Sequence, residues 1–422
     1  MYLQNYFMKN QLFYLVALPL LFLIMVGSQN VSAGINETIE KAFKFGQEDA
    51  KYGQIKLNLR LRYENANTEE TTARTAEAFT VRIRAGYLSP EFHGLQGYAE
   101  FEGNQDLGIN DYNASRNGTL RNKGFDVIQD PQDTELNQLW VSYTGVPDTV
   151  AKVGRQRLKI DNDRFIGNVG WRQLEQTFDA ALVTNKSLPN TTIKAGYINR
   201  VKRIFSDSEE MTAPFLNMAY NFEGFGELTT YGYWLEYDQA ILFGKSNQTY
   251  GVRFNGKKQI TDDVNVLYTA EYAYQSDYAD NPFSYDEDYY HIIGGVSAFG
   301  VTLKGGMEEL GGEGSTGQRF QTPLATGHRF NGWADVFLAT PVHGLRDVYG
   351  SATAVVKGVK MIVVYHDFTD DIGNIEYGNE YDFLITRKFG KHYSLLAKYA
   401  YYNADTFSTD RQKFWIQAGM EF

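Results

Sequence analysis

Positive side chains recur at even spacing in several stretches of this chain: Lys56, Arg60 and Arg62, then Arg82 and Arg84, then Arg253 and Lys257, with Lys398 further on. Even spacing places such groups on one face of an extended strand. A guanidinium grips a carboxylate through two parallel hydrogen bonds, which an ammonium cannot do. The chemistry on offer is non-covalent capture of anions. Covalent thiol chemistry and thiolate metal sites are excluded, because the chain has no cysteine.

The elements that carry these groups read as strands. In Gly53 to Glu64, Ile55, Leu57, Leu59, Leu61 and Tyr63 oppose Lys56, Asn58, Arg60 and Arg62. In Phe79 to Leu88, Phe79, Val81, Ile83, Ala85 and Tyr87 oppose Arg82, Arg84 and Gly86. Val264 to Tyr274 sets Val266, Tyr268, Ala270 and Tyr272 against Asn265, Thr269 and Glu271. A period of two marks strands with one apolar and one polar face. The last segment, Gln412 to Phe422, repeats the pattern and stops on a phenylalanine. Strands of about ten residues, tilted, cross a bacterial outer membrane.

Composition agrees with a barrel. The 422 residues include 30 Tyr, 28 Phe and 5 Trp, enough for aromatic girdles at both membrane interfaces. Mean hydropathy is −0.40, and alternation hides strand hydrophobicity in such an average. Residues 1–33 have the layout of a signal peptide: Lys9, an apolar run from Leu12 to Val26, and Val31-Ser32-Ala33 as cleavage site. They hold one lysine and no acid, leaving 39 basic and 51 acidic residues, net −12. That balance argues against nucleic acid as a partner. Residues 34–52 form a short periplasmic segment in which Ile39, Ala42, Phe43 and Phe45 could line a helix, and residues 53–422 form the barrel.

Short turns near Ser89-Pro90, Gly145-Val146-Pro147, Pro189-Asn190, Gly224-Phe225-Gly226, Phe299-Gly300, Lys357-Gly358 and Phe389-Gly390-Lys391 alternate with long polar connections. The long ones run near 64–77, 106–134, 159–174, 202–211, 238–247, 275–287, 311–345, 368–378 and 403–411. Short periplasmic turns and long extracellular loops are the asymmetry of an outer-membrane barrel. The count is 18 strands, with Arg329 to Leu338 assigned to a loop and 16 strands as the alternative. A soluble sandwich would need shorter strands.

A barrel of this size encloses water, so the polar face looks into a channel. One sign of charge on a low-dielectric wall concentrates the opposite ion. Glu100 and Glu102 share that face opposite Arg82 and Arg84, so cross-strand ion pairs that merely brace the wall are the competing reading. Glu271, Glu380 and Asp382 dilute the positive field further. Asp161-Asn162-Asp163 and Asp286-Glu287-Asp288 could hold Ca2+ through oxygen, but neither has calcium-loop spacing and a solvated charge run is the plainer account. No other cofactor is indicated.

Gly154 to Gln173 reads GRQRLKIDNDRFIGNVGWRQ, followed by QTFDA at Gln176 to Ala180, and Ala325 to Leu338 reads ATGHRFNGWADVFL. These stretches resemble the alginate export family of outer-membrane proteins. The resemblance implies a monomeric 18-stranded barrel whose arginine-rich lumen passes a polyuronate. It implies Arg155, Arg157, Arg164 and Arg172 as pore groups, although Val153 and Arg155 share a parity and the resemblance alone turns Arg155 inward. Trp171 and Trp333 offer flat faces for sugar rings; loop packing is the alternative for Trp333 and Phe337.

The expected function is passive passage of acidic saccharides or related organic anions. A general or nutrient-uptake porin is the alternative, and a surface adhesin is a third class. The expected partners are outer-membrane lipid and lipopolysaccharide, the barrel assembly machinery and an anionic oligo- or polysaccharide. An enzyme is disfavoured: His93 and His392 lie at periplasmic turns, and His328 near Asp335 has no serine elbow beside it.

Overall fold

A computed structural model describes residues 31–114, 124–314 and 316–422. One 18-stranded antiparallel sheet closes on itself. Its strands are β1 Gln54–Thr68, β2 Ala76–Leu88, β3 Leu95–Asp111, β4 Asp133–Tyr143, β5 Thr149–Gln156 and β6 Thr177–Asn185. They continue as β7 Thr191–Lys202, β8 Ser208–Phe222, β9 Gly226–Tyr237, β10 Asn247–Gln259, β11 Val264–Asp277 and β12 Asp286–Ala298. The last are β13 Val301–Leu310, β14 Leu345–Val356, β15 Val359–Thr369, β16 Glu376–Phe389, β17 Tyr393–Ala404 and β18 Arg411–Glu421. Closure comes from β1, which pairs with both β2 and β18.

Turn chemistry fixes the short end. Phe299 and Gly300 both take positive φ, as do Lys357 and Gly358, the conformation of the two-residue turn that matches strand twist. The turn at 260–263, between β10 and β11, has neither glycine nor proline and is absent from the turns read in the sequence. At the other end, β1, β2, β7 and β8 run further than expected, so their loops shrink to 69–75 and 203–207. The segment Arg329 to Leu338 contains no strand.

Residues 1–30 of the expected processing segment lie outside the described residues. Helix α1, Val31–Phe43, packs at the short-turn end. Tyr393 donates to the Asn36 side chain at 2.9 Å, and His392 Nε2 meets Glu40 at 2.7 Å. The ring of Phe422 stacks on His392 at 4.1 Å and meets Phe43 edge-on at 5.9 Å.

Register separates the two faces. Ile83, Phe101, Leu139, Val153 and Ile292 stand exposed on the outside. Outward tyrosines such as Tyr272, Tyr290, Tyr365 and Tyr381 add a girdle. The inside departs from the expected plain water-filled channel. The β5–β6 loop (157–176) and the β13–β14 loop (311–344) fold into it. Leu158, Phe165, Ile166, Phe320, Leu324 and Phe337 from these loops join inward Tyr231, Tyr289, Tyr402 and Trp415 in one buried cluster. Apolar burial of this kind is worth about 25 cal/mol per Å2, so the loops are held rather than loosely draped.

Candidate channel lumen

The two inward loops meet each other and the wall. Ile166 and Leu324 form a short parallel bridge, and Gln176 donates to the Gly167 and Leu324 carbonyls at 2.8 and 3.0 Å. Arg60 donates to the carbonyls of Gly170, Trp171 and Arg172 at 3.1, 2.9 and 3.0 Å. Arg62 donates to the Trp171 carbonyl at 2.5 Å and to Gln417 at 2.7 Å. These wall arginines therefore satisfy the exposed backbone of the first loop, which has no ladder of its own.

Register places Arg60, Arg62, Arg82, Arg84, Arg253 and Lys257 on the inner face. Most of the arginines face a carboxylate. Arg84 Nε lies 2.6 Å from Glu102, and Arg253 lies 3.6 Å from Glu271. Arg157 pairs with Glu100 at 2.7 Å and with Glu175. Arg164 pairs with Glu308 at 2.8 Å, and Arg172 with Glu64 at 3.0 Å and Asp335 at 3.1 Å. A bulge at Asn137 turns it inward beside Gln138, and both amides donate to Glu100. Arg60 and Arg82 differ. They are direct cross-strand neighbours, a like-charge pairing that is ordinarily unfavourable. Arg82 is 1% exposed, bonds Asn58, and leaves Nε and Nη1 without an acceptor.

Arg155 is a correction. Gly154 adopts φ +120°, yet the pairs Val141–Val153 and Leu139–Arg155 continue without a register shift. Arg155 therefore stays on the exposed face of Val153, outside the barrel. There it forms a two-pronged pair with Asp179 at 2.7 and 2.9 Å, which Arg200 and Glu210 extend along the outer surface.

Trp171 is also engaged. Its ring stacks on His328 at 4.7 Å and 8°, and the Arg62 guanidinium sits 4.2 Å from its centre. Trp333 covers the Lys398 ammonium at 3.7 Å, and Phe337 packs against Phe368, Tyr377 and Phe407. Both therefore follow the loop-packing alternative.

Loop carboxylates that no sequence pattern marks complete the network. Asp335 accepts from Lys413 at 2.7 Å and from Arg172, and it meets His328 Nδ1 at 2.6 Å. Burial alone would raise its pKa, but His328 and Lys413 hold it well below the ordinary carboxylate value. Burial pushes His328 well below its ordinary value despite Asp335. Glu175, buried but flanked by Arg84 and Arg157, is pulled down to about 2. Burial disfavours the charge on Arg172, and Glu64, Asp130 and Asp335 outweigh it, so its pKa rises. Asp161 accepts from Asn217 at 2.7 Å, while Asp163 faces Arg329 at 3.3 Å. Among the described residues no three acidic or histidine side chains converge as metal ligands.

Between the inward loops and the 203–207 loop lies a cavity of about 530 Å3. Arg172, Arg203, Lys245 and Arg319 line it together with Phe205, Phe320 and Leu338. Arg319 makes no ion pair with any described residue.

The sequence pattern of the alginate export family matches residues 30–296. The chain belongs to the alginate export family. Its members are channels, so this chain is an outer-membrane channel and not an enzyme. No curated protein sequence matches the chain. Solved structures share its fold at low identity. Pseudomonas aeruginosa OpdK, solved with vanillate, is 14% identical, with a TM-score of 0.68 over 87% of this chain and 98% of its own. Acinetobacter baumannii OccAB4 is 14% identical with a TM-score of 0.69 over 88% and 98%. A BenF-like porin from Pseudomonas fluorescens Pf-5 is 14% identical with a TM-score of 0.68 over 88% and 99%.

Proposed function

We propose that this alginate export family member passes small organic anions, including uronates and short oligouronates, by passive diffusion. The observation that carries the reading is the cavity of about 530 Å3, whose lining includes four cationic side chains against one carboxylate, Asp335, together with apolar groups. That volume suits a single small ligand. Two loops packed into the lumen leave less room for a polymer than the family's label suggests. The neighbour solved with vanillate, an aromatic acid, supports the same solute class. Arg319 would meet the carboxylate first. Arg60 and Arg82, without carboxylate partners among the described residues but engaged or buried in the wall, would add positive field behind it rather than touch the solute. Arg84, Arg157, Arg164 and Arg172 serve better as braces.

Planar-bilayer conductance with added glucuronate, an aromatic carboxylate or oligouronates tests this. Concentration-dependent block by the anions, weakened in Arg319→Gln, is expected. Equal behaviour with neutral sugars would leave only a general porin.

A further inference from the structure

The half of the inner wall nearest the short turns carries a separate set of charges. Lys56, Lys152, Lys194, Lys257, Lys304 and Lys360 share the inner face through the pairs Lys56–Gly86, Lys152–Ser142, Lys194–Asn217, Lys257–Leu267, Lys304–Gly295 and Lys360–Thr386. None of them forms an ion pair with a described residue. Lys152 lies over the Trp140 ring at 4.2 Å, and Asp161 acts on Lys194 through space without pairing. Of the inner-face strand carboxylates near these lysines, Glu227 and Glu421 stand exposed at the rim, and Glu100, in register with Lys56 through Gly86, is already engaged by Arg157 at 2.7 Å. A cavity of about 470 Å3 opens against this wall, lined by Asn255, Lys257, Thr269 and Lys304 among others.

The contrast with the level above is electrostatic. There the arginines lie 2.6 to 3.6 Å from Glu102, Glu308 and Glu271, so their fields largely cancel. An ammonium that faces water with no counter-charge keeps its field, and low-dielectric walls focus it along the tube. Screening in salt confines each charge to about 10 Å.

We propose that these unpaired lysines, rather than the arginines above them, set the channel's preference for anions. They form a receiving vestibule in which a solute released from the constriction meets positive charge on several strands. The inference rests on the anion reading above, and it names different residues as the source of selectivity.

The test is the reversal potential of single channels in a steep KCl gradient. Wild type should favour chloride. Combining Lys194→Gln, Lys257→Gln and Lys304→Gln should lower the chloride-to-potassium permeability ratio by about twofold for each charge removed. Lys258→Gln, on the outer face, should leave it unchanged. Folding of each variant is checked by the heat-dependent gel shift of the barrel, since none of these lysines forms an ion pair with a described residue. An unchanged ratio in the triple variant, with solute block by organic anions intact, would overturn this inference and leave the anion reading standing. A wild-type channel that favours potassium would overturn both.

Discussion

Nε2 of His328 lies 2.7 Å from the Nζ of Lys398, while Nδ1 of the same ring meets Asp335 at 2.6 Å. The ammonium donates to Nε2, so the proton of the neutral imidazole belongs on Nδ1, where Asp335 accepts it. Trp171, Trp415 and, through space, Arg172 complete the surroundings of the ring. A second proton on His328 would set two cations against each other. Burial lowers the folded-state pKa below the ordinary 6.5, so the unfolded state binds more protons than the folded one. Stability of this contact is then full above pH 6.5 and falls as pH drops below it, by about 1.4 kcal/mol per unit. Tryptophan fluorescence should change on acidification as Trp171 loses its stacking partner, and His328→Gln should flatten that titration. A wild-type signal that stays flat between neutral pH and pH 5 would contradict the assignment.

Arg172 holds the first inward loop to the wall and to the second loop at once. Its partners Glu64 and Asp335 come from a strand and a loop distant in sequence. Arg172→Ala leaves buried Glu64 without its guanidinium partner, while Asp335 keeps Lys413 and His328, at a cost of about 3–5 kcal/mol. The barrel has many other ladders, so the loss should fall on the loop. Conductance should rise, and protease should cut within 157–176 in the variant only. Unaltered conductance with a protected loop would show that apolar packing suffices.

The strands were legible because a barrel wall has water on one side and hydrocarbon on the other, which imposes alternation at every level. The same logic placed Arg60, Arg62, Arg82 and Arg84 on one face. Two things were not legible, each for its own reason, and a third was legible but overridden. The turn at 260–263 has no glycine or proline to announce it. The inward loops are held by contacts such as Arg172 to Glu64, which are 108 residues apart, and no local period encodes them. Arg155 was readable from its parity with Val153, and family likeness pointed the other way. Parity won because Gly154 absorbs an unusual φ without adding a residue to the ladder.

Arg155 supplies a prediction that separates the two faces. Its guanidinium engages Asp179 and the Leu136 carbonyl on the outside of the wall. Arg155→Gln should leave ion selectivity and block by organic anions as in wild type. Stability should fall by at most about 1 kcal/mol, the value of a partly exposed pair. Bilayer recordings alongside Arg319→Gln check this. Loss of anion block in Arg155→Gln would place the side chain inside after all.

Gly154 makes the strictest demand on sequence. At φ +120°, an added Cβ would stand 2.2 Å from the Leu139 carbonyl oxygen and 2.9 Å from the Trp140 Cα, both backbone atoms that cannot swing away. Gly154→Ala must therefore either strain the residue, at about 1–3 kcal/mol, or break the β4–β5 ladder. That ladder is short, five pairs from Leu139–Arg155 to Tyr143–Ala151, so the wall has little reserve there. The expected outcome is a lower yield of heat-modifiable barrel and a lower unfolding midpoint in denaturant. Gly350→Ala provides the comparison, since a Cβ there would meet open space. Equal yields and midpoints for the two variants would mean that the strand can relax at Gly154. The register argument that keeps Arg155 outside would then lose its anchor.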